Sequence, residues 1–190
     1  MLKDLGARAF GYGVPMPIFM VATYNDDGSV NVMNLHETSR TNAGNLALFI
    51  GPYGKTIGNV ERRKTFSIAL VHPEMMGAAD LFGSVSGKRM PDKFEKAGLT
   101  AYKSRHTGAP IIEGSRLVIE CELIEMVRQG SFATVHARVV NVAADGSVLD
   151  ERGRVDMTKV NPIFFDSFSN GYFQMGEQVG EAWKEGRKLL

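Results

Sequence analysis

The chain has 190 residues, of which 44% are hydrophobic and 23% charged, and its formal net charge is +1 at pH 7. These values are ordinary for a globular domain and exclude a wholly disordered or collagen-like chain. The near-neutral balance argues against a strongly electrostatic nucleic-acid or membrane binder, which carries a larger basic excess. We therefore expect one domain over residues 1–190, with neither nucleic acid nor membrane as a partner.

The cysteine content and the first residues bear on the cellular compartment. Cys121 is the only cysteine, so neither an intrachain disulfide nor a cysteine metal cluster can form. Its place on the apolar face of a predicted strand indicates a buried hydrophobic residue rather than a nucleophile. Residues 1–10 lack the apolar central region of a signal peptide. We expect a soluble, cytoplasmic protein in a reducing compartment.

The first predicted elements form a β-hairpin. Residues 18–24 favour a strand, residues 25–28 carry the turn sequence Asn-Asp-Asp-Gly, and alternation resumes over residues 30–35. Residues 46–50 predict a short buried strand. Residues 56–63 predict a helical turn with one apolar and one charged face.

The second half of the sequence predicts longer strands. Residues 65–71 alternate, and residues 91–97 predict a short helix that ends at Gly98. Residues 117–123 alternate with Glu120 and Glu122 on the polar face, and residues 132–142 alternate similarly.

Beyond residue 175 the apolar positions recur at helical spacing. This pattern predicts an amphipathic helix over about 177–190 that packs on the rest of the domain or across a dimer. Antiparallel strands joined by short helices favour a mainly β fold, either a barrel or a sandwich. They disfavour a doubly wound parallel sheet.

Three segments could carry chemistry, and each has a structural alternative. Residues 31–42 are rich in hydroxyl and amide groups, which suit a phosphate or a polar ring but also a solvated loop. Lys55 and Thr56 open a predicted helix, where they suit either an anion or a simple helix cap. The aromatic residues over 164–173 could cover a flat ring, fill a core or form a subunit contact. The histidine spacing predicts no metal site.

Several motifs resemble those of the flavin reductase-like proteins of the flavoredoxin type. Residues 86–100 read Ser-Gly-Lys-Arg-Met-Pro-Asp-Lys-Phe-Glu-Lys-Ala-Gly-Leu-Thr, which is similar to the S-G-x-x-x-x-D-K-F-x-x-A-G-L-T segment of that family. Residues 108–113 and 117–123 are similar to its A-P-x-I-x-E segment and L-E-C strand. The resemblance, in the family's order of motifs, runs from about residue 15 to residue 177.

The resemblance implies an FMN-binding split β-barrel that works as a homodimer and holds FMN noncovalently near the subunit interface. It implies a set of cofactor-binding residues: Asn31 and Asn34 beside the ring or ribityl chain, Ser39, Arg40 and Thr41 in a polar loop, Lys55 and Thr56 at the phosphate, Lys93 as a further contact, and His136 with Phe165 or Tyr172 on another side. The chain departs from many relatives at His36 and Glu37, where they carry an aromatic residue, often tryptophan.

The same resemblance implies an NAD(P)H:flavin oxidoreductase that passes electrons to flavin or to a small redox acceptor. FMN would carry the reactivity, so no protein nucleophile is required, and His136 is the one candidate for a catalytic side chain. Two alternatives stay open. One is an FMN electron carrier reduced by a partner protein, and the other is a flavin-free binding module.

Overall fold

The computed structural model describes residues 1–11, 13–41 and 43–189, except for the side chain of residue 188. It is a mainly β structure with short helices. The strands are β1 Met16–Pro17, β2 Phe19–Tyr24, β3 Val30–Leu35, β4 Thr38–Arg40, β5 Leu46–Ile50, β6 Thr65–Leu70, β7 Ala101–Lys103, β8 Pro110–Ile112, β9 Leu117–Gln129, β10 Phe132–Ala144, β11 Ile163–Asp166 and β12 Gly171–Gln174. The α-helices are α1 Lys55–Arg63, α2 Met76–Ser84, α3 Lys93–Lys96 and α4 Met157–Val160.

Seven strands form one curled antiparallel sheet in the order β3-β2-β6-β9-β10-β5-β4. The two edge strands, β3 and β4, are consecutive in the chain, and only residues 36 and 37 separate them. The sheet is therefore a half-barrel whose two edges are brought together by a very short connection. This confirms the predicted split-barrel architecture, including the hairpin of β2 and β3.

Hydrophobic cores lie on both faces of this sheet. One contains Phe66, Cys121 and Val135 and is closed by Ile57 and Val60 of α1. The other lies under α2 and α3. Because β2 and β6 lie between these cores, they are buried on both faces, although residues 65–71 alternate in sequence.

One expectation about a polar residue needs correction. Glu120 was placed with Glu122 on the polar face of its strand, but it is only 3% exposed. Its carboxylate accepts hydrogen bonds from Ser104, from Thr107 Oγ1 at 3.0 Å and from Asn141 Nδ2 at 2.8 Å. Burial alone would raise the pKa of Glu120, but these hydrogen bonds outweigh it and lower the pKa below its usual value.

The C-terminal segment also differs from its prediction. The amphipathic helix expected over about 177–190 is a single 3₁₀ helix at Glu185–Leu189, and residue 190 lies outside the described residues. Val179, Trp183 and Leu189 are at least 90% exposed, so the segment does not pack on the sheet of its own chain. No helix in the described ranges is both long enough and apolar enough to span a bilayer.

Candidate functional site

A cleft of about 560 Å³ lies between the edge strand β3, the turn that joins β5 to α1, and the segment that follows α2. Its walls come from three stretches of chain: Asn31, Met33 and Asn34; Ile50 to Ile57; and Phe82 to Gly87 with Arg89 and Lys93. The cleft therefore lies along the β3 edge of the half-barrel. Its size is typical of a site for a small ligand.

Buried polar contacts position Asn31 at the base of this cleft. Asn31 is 4% exposed, and its side-chain amide donates to Thr56 Oγ1 at 2.8 Å. Asn59, one turn further along α1, donates to Thr23 Oγ1 at 3.1 Å and to Asn25 Oδ1 at 2.9 Å. These bonds attach α1 to the β2–β3 hairpin, because buried amides and hydroxyls need partners inside the protein.

Gly87 lets the segment after α2 approach Asn31 closely. A Cβ atom built on residue 87 would lie 2.4 Å from Asn31 Oδ1 and 3.3 Å from the Lys55 side chain. No larger residue fits there unless the amide moves. The absence of a side chain at Gly87, in the Ser86-Gly87 motif, therefore allows two walls of the cleft to come into contact.

The cleft is suited to an anion. Lys55 and Arg89 line it, and Lys88 donates to the carbonyl of Tyr53 at 3.0 Å beside it. Among the described lining residues there is no carboxylate. The helix α1 begins after Gly54 with no side-chain cap, so its first backbone N–H groups are open to a ligand.

Lys93 lies in the wall of the cleft but is engaged by the protein itself. It is 3% exposed, and its Nζ donates to the carbonyls of Phe82 at 3.0 Å and Val85 at 2.8 Å. It thereby caps the C-terminal turn of α2, where a cation is favourable. Burial lowers the pKa of Lys93 to about 8. Since an ammonium has three donors, one is left for a ligand.

Phe165 and Tyr172 form an aromatic wall beyond the other end of β3. They are directly opposite each other on β11 and β12, with ring centroids 6.1 Å apart. The His36 ring lies 5.1 Å from that of Phe165. Tyr172 donates its hydroxyl to Asp80 Oδ1 at 2.6 Å, and burial together with this bond raises the pKa of Tyr172 to about 12.

The remaining predicted residues lie on a different surface. Ser39 is opposite Ala47 on β5, and Ala47 is opposite His136 on β10. Residues opposite each other share a face of the sheet, so Ser39 and His136 point the same way. Neither they nor the neighbouring Arg40 and Thr41 line the cleft. The cleft thus gathers Asn31, Asn34, Lys55, Thr56 and Lys93. The other six predicted residues do not line it: Ser39, Arg40, Thr41, His136, Phe165 and Tyr172.

Sequence reasoning missed part of one wall of the site. The helix α2 was not predicted, although it contributes Phe82 and Gly83 to the cleft. Its residues Met76–Ser84 show little separation of apolar and polar faces, because its exposed positions include methionine and glycine rather than mostly charged side chains. A usable signal was Pro73, which stands at the first position of the preceding 3₁₀ turn.

Comparisons with known proteins agree with this architecture. The curated relative "Uncharacterized protein YdfE" from Bacillus subtilis (strain 168) is 26% identical over 199 aligned positions, covering 96% of this chain and 93% of that protein. The solved flavoredoxin of Desulfovibrio vulgaris (Miyazaki F) is 29% identical with a TM-score of 0.89, covering 98% of this chain and 100% of that one. The flavoredoxin from Methanosarcina acetivorans is 23% identical with a TM-score of 0.87, covers the whole of both chains, and supports the fold.

The family-level match spans most of the chain. Residues 11–159 match the family described as "Flavin reductase like domain". This range contains the half-barrel and all three walls of the cleft. The chain therefore belongs to the flavin reductase-like domain family.

Proposed function

We propose that this protein binds FMN noncovalently in the cleft beside β3, accepts electrons from NAD(P)H and passes them to flavin or to a small redox acceptor. The observation that carries the proposal is the uncapped first turn of α1, flanked by Lys55, Thr56 and Arg89, next to the amide-bearing edge strand. This arrangement suits a mononucleotide, which places one phosphate at one end of a flat polar ring.

The donors in the cleft fit the phosphate of FMN. Lys55 and Arg89 supply positive charge, and the first turn of α1, which has no side-chain cap, lines the same space. A phosphate monoester carries nearly two negative charges at pH 7, so charge-assisted hydrogen bonds from these groups are favourable.

The remaining walls fit the ribityl chain and the ring. Asn34 lines the cleft, and its Oδ1 is shielded from solvent with no hydrogen-bond partner among the described residues. Met33 and Phe82 add apolar surface that excludes water from a bound ring. FMN, once bound, would supply the hydride and electron chemistry, while these residues orient it and exclude solvent.

We further propose that the working form is a homodimer. Two large aromatic side chains, Phe49 and Phe132, are exposed on the face of the sheet that carries Ser39 and His136, with their ring centroids 6.5 Å apart. Apolar patches of this kind mark interaction sites. If two copies meet there, the predicted residues that lie outside the cleft would approach the FMN of the neighbouring copy.

A second candidate function is an FMN electron carrier that a partner protein reduces. The likeness to the Desulfovibrio flavoredoxin, at 29% identity over nearly the whole chain, favours it. In this case the cleft would hold FMN in the same way, but NAD(P)H would have no productive site. His136 would then have no catalytic role.

The visible spectrum of the purified protein, before and after incubation with FMN, tests the shared part of both candidates. Anaerobic mixing with NADH and with NADPH then separates them. We expect bleaching of the flavin band within seconds by at least one donor. Flavin that stays oxidised for minutes with both would eliminate the enzyme and favour the carrier. A colourless protein that takes up no FMN would overturn both.

A further inference from the structure

Two polar atoms, one on β3 and one on the residue directly after it, are shielded from solvent and have no hydrogen-bond partner in the described part of the chain. They are Oδ1 of Asn34 and Nε2 of His36. Asn34 lies on β3 and His36 is the first residue beyond its end. Residues two apart on extended chain project from the same side, roughly 6.6 Å apart. Asn34 lines the cleft, so His36 continues the same row one step beyond it.

The His36 ring is held in place by its neighbours. Its ring plane is tilted 43° to that of Phe165, and Phe165 in turn contacts Tyr172. The hydroxyl of Tyr172 is anchored on Asp80 of α2. The backbone carbonyl of His36 accepts from Thr38 N at 3.0 Å, which closes the short connection between the two sheet edges.

A buried polar atom without a partner is unfavourable, so two of them in one row call for an explanation. Both are explained if a ligand supplies the missing groups. Asn34 Oδ1 can only accept a hydrogen bond, whereas His36 Nε2 donates one when it carries the ring proton. The row therefore presents an acceptor next to a donor.

We propose that the ligand of the cleft extends past Asn34 to His36, and that these two side chains hydrogen-bond the polar edge of its ring. The inference rests on the proposed binding of flavin. The pyrimidine edge of a flavin offers an N–H group beside carbonyl oxygens, which complements an amide oxygen next to an imidazole N–H. His36 is then a ring-recognition residue, with Phe165 as the support that orients it.

The phosphate end and the ring end of the site can be tested separately, because riboflavin has the ring of FMN but no phosphate. We expect His36→Phe, which keeps an aromatic contact with Phe165, to raise the Kd of FMN and of riboflavin by the same factor, roughly two- to tenfold for one hydrogen bond. His36→Gln should recover most of the loss, since its amide can donate again. Fluorescence titration gives both constants.

Two further variants complete the comparison. Lys55→Met should weaken FMN more than riboflavin, because it acts on the phosphate. His106→Gln, at an exposed histidine away from the cleft, should change neither constant. The melting temperature of His36→Phe should stay near that of the wild type, which separates lost recognition from lost folding.

The outcomes distinguish this inference from the proposed function. If the wild type binds both flavins and His36→Phe binds them equally well, the role of His36 is wrong while the cofactor assignment stands. If His36→Phe weakens the binding of FMN but not of riboflavin, His36 lies at the phosphate, and the inference is also overturned. Wild-type protein that binds neither flavin would refute the inference together with the function on which it rests.

Discussion

The side-chain amide of Asn31 on β3 donates a 2.8 Å hydrogen bond to Oγ1 of Thr56 in the first turn of α1. This bond joins the edge of the split sheet to the helix whose N-terminus faces the cleft. The same Asn31 side chain contacts Gly87 from the opposite wall. One amide thus sets the relative position of three chain segments that surround the proposed ligand.

Gly87→Ala tests that arrangement. Its Cβ would lie 2.4 Å from Asn31 Oδ1, so the amide must move and the bond to Thr56 is disturbed. We expect a loss of about 1–3 kcal/mol in the free energy of unfolding, as for other overpacked sites, and weaker FMN binding. Urea unfolding and flavin titration measure these effects. Gly77→Ala is the control, because its added methyl meets no atom within 4 Å. Equal behaviour of the two variants would contradict the proposed close packing.

Lys55→Met and Arg89→Met test the phosphate position. Each removes one cation from the cleft. Since a hydrogen bond to a charged group contributes about 1.5–3 kcal/mol, we expect the Kd of FMN to rise by roughly ten- to a hundredfold. The salt dependence of binding should also weaken. Arg152→Met, on an exposed turn, is the control. A loss of the same size for riboflavin would show that the phosphate binds elsewhere.

The lowered pKa of Lys93 predicts that the free energy of unfolding depends on pH. Burial lowers its pKa from 10.5 to about 8 in the folded state. Between about pH 8 and 10.5 the unfolded chain therefore holds more protons on Lys93 than the folded chain does. The contribution of Lys93 to the free energy of unfolding then rises with pH across this window. Below pH 8 both states are protonated, and the full penalty of the buried charge applies.

The measurement compares the wild type with Lys93→Met by urea unfolding from pH 7 to pH 10. We expect the wild type to gain stability relative to the variant as the pH rises above 8. Lys96→Met changes an exposed lysine on the same helix, paired with Asp92, and should show no such trend. A difference between wild type and Lys93→Met that stays constant with pH would refute the assignment.

The C-terminal segment offers a test of the proposed dimer. Trp183 is the only tryptophan and is 93% exposed in the single chain. If this segment packs across a dimer, its emission should be blue-shifted at high protein concentration and move to the red on dilution. Deleting residues 177–190 should then weaken the dimer in sedimentation. Red emission at every concentration, with an unchanged dimer after deletion, would exclude this role.

Turn residues and side-chain alternation in the sequence were sufficient to predict much of the sheet. The Asn-Asp-Asp-Gly turn and the alternation around it predicted the hairpin of β2 and β3, and alternation also predicted β9 and β10. Proline and glycine marked the ends of the short helix α3. These features are readable because turn preference and side-chain alternation depend on neighbours in the chain.

The candidate site could be predicted only in part from the sequence, because its walls come from segments that are far apart in the chain. Lys55 and Thr56 were recognised from their place at a helix start, and the amides of β3 from the family resemblance. The helix α2 was not recognised, because exposed positions such as Met76 and Gly77 give it no clearly polar face. Glu120 was predicted on the polar face of its strand, because its partners Ser104 and Thr107 are distant in sequence and contact it only in the folded chain.

The sequence by itself determined six of the seven strands of the curled sheet, where the main hairpin turns, and that Lys55 and Thr56 could bind an anion. Only the tertiary structure decided that Lys93 caps α2, that Ser39 and His136 share a face away from the cleft, and that His36 packs on Phe165. The reason is physical. Strand alternation specifies two faces for each strand, but which face is buried depends on register and on the elements packed above it, and both are set by contacts between residues far apart in the chain.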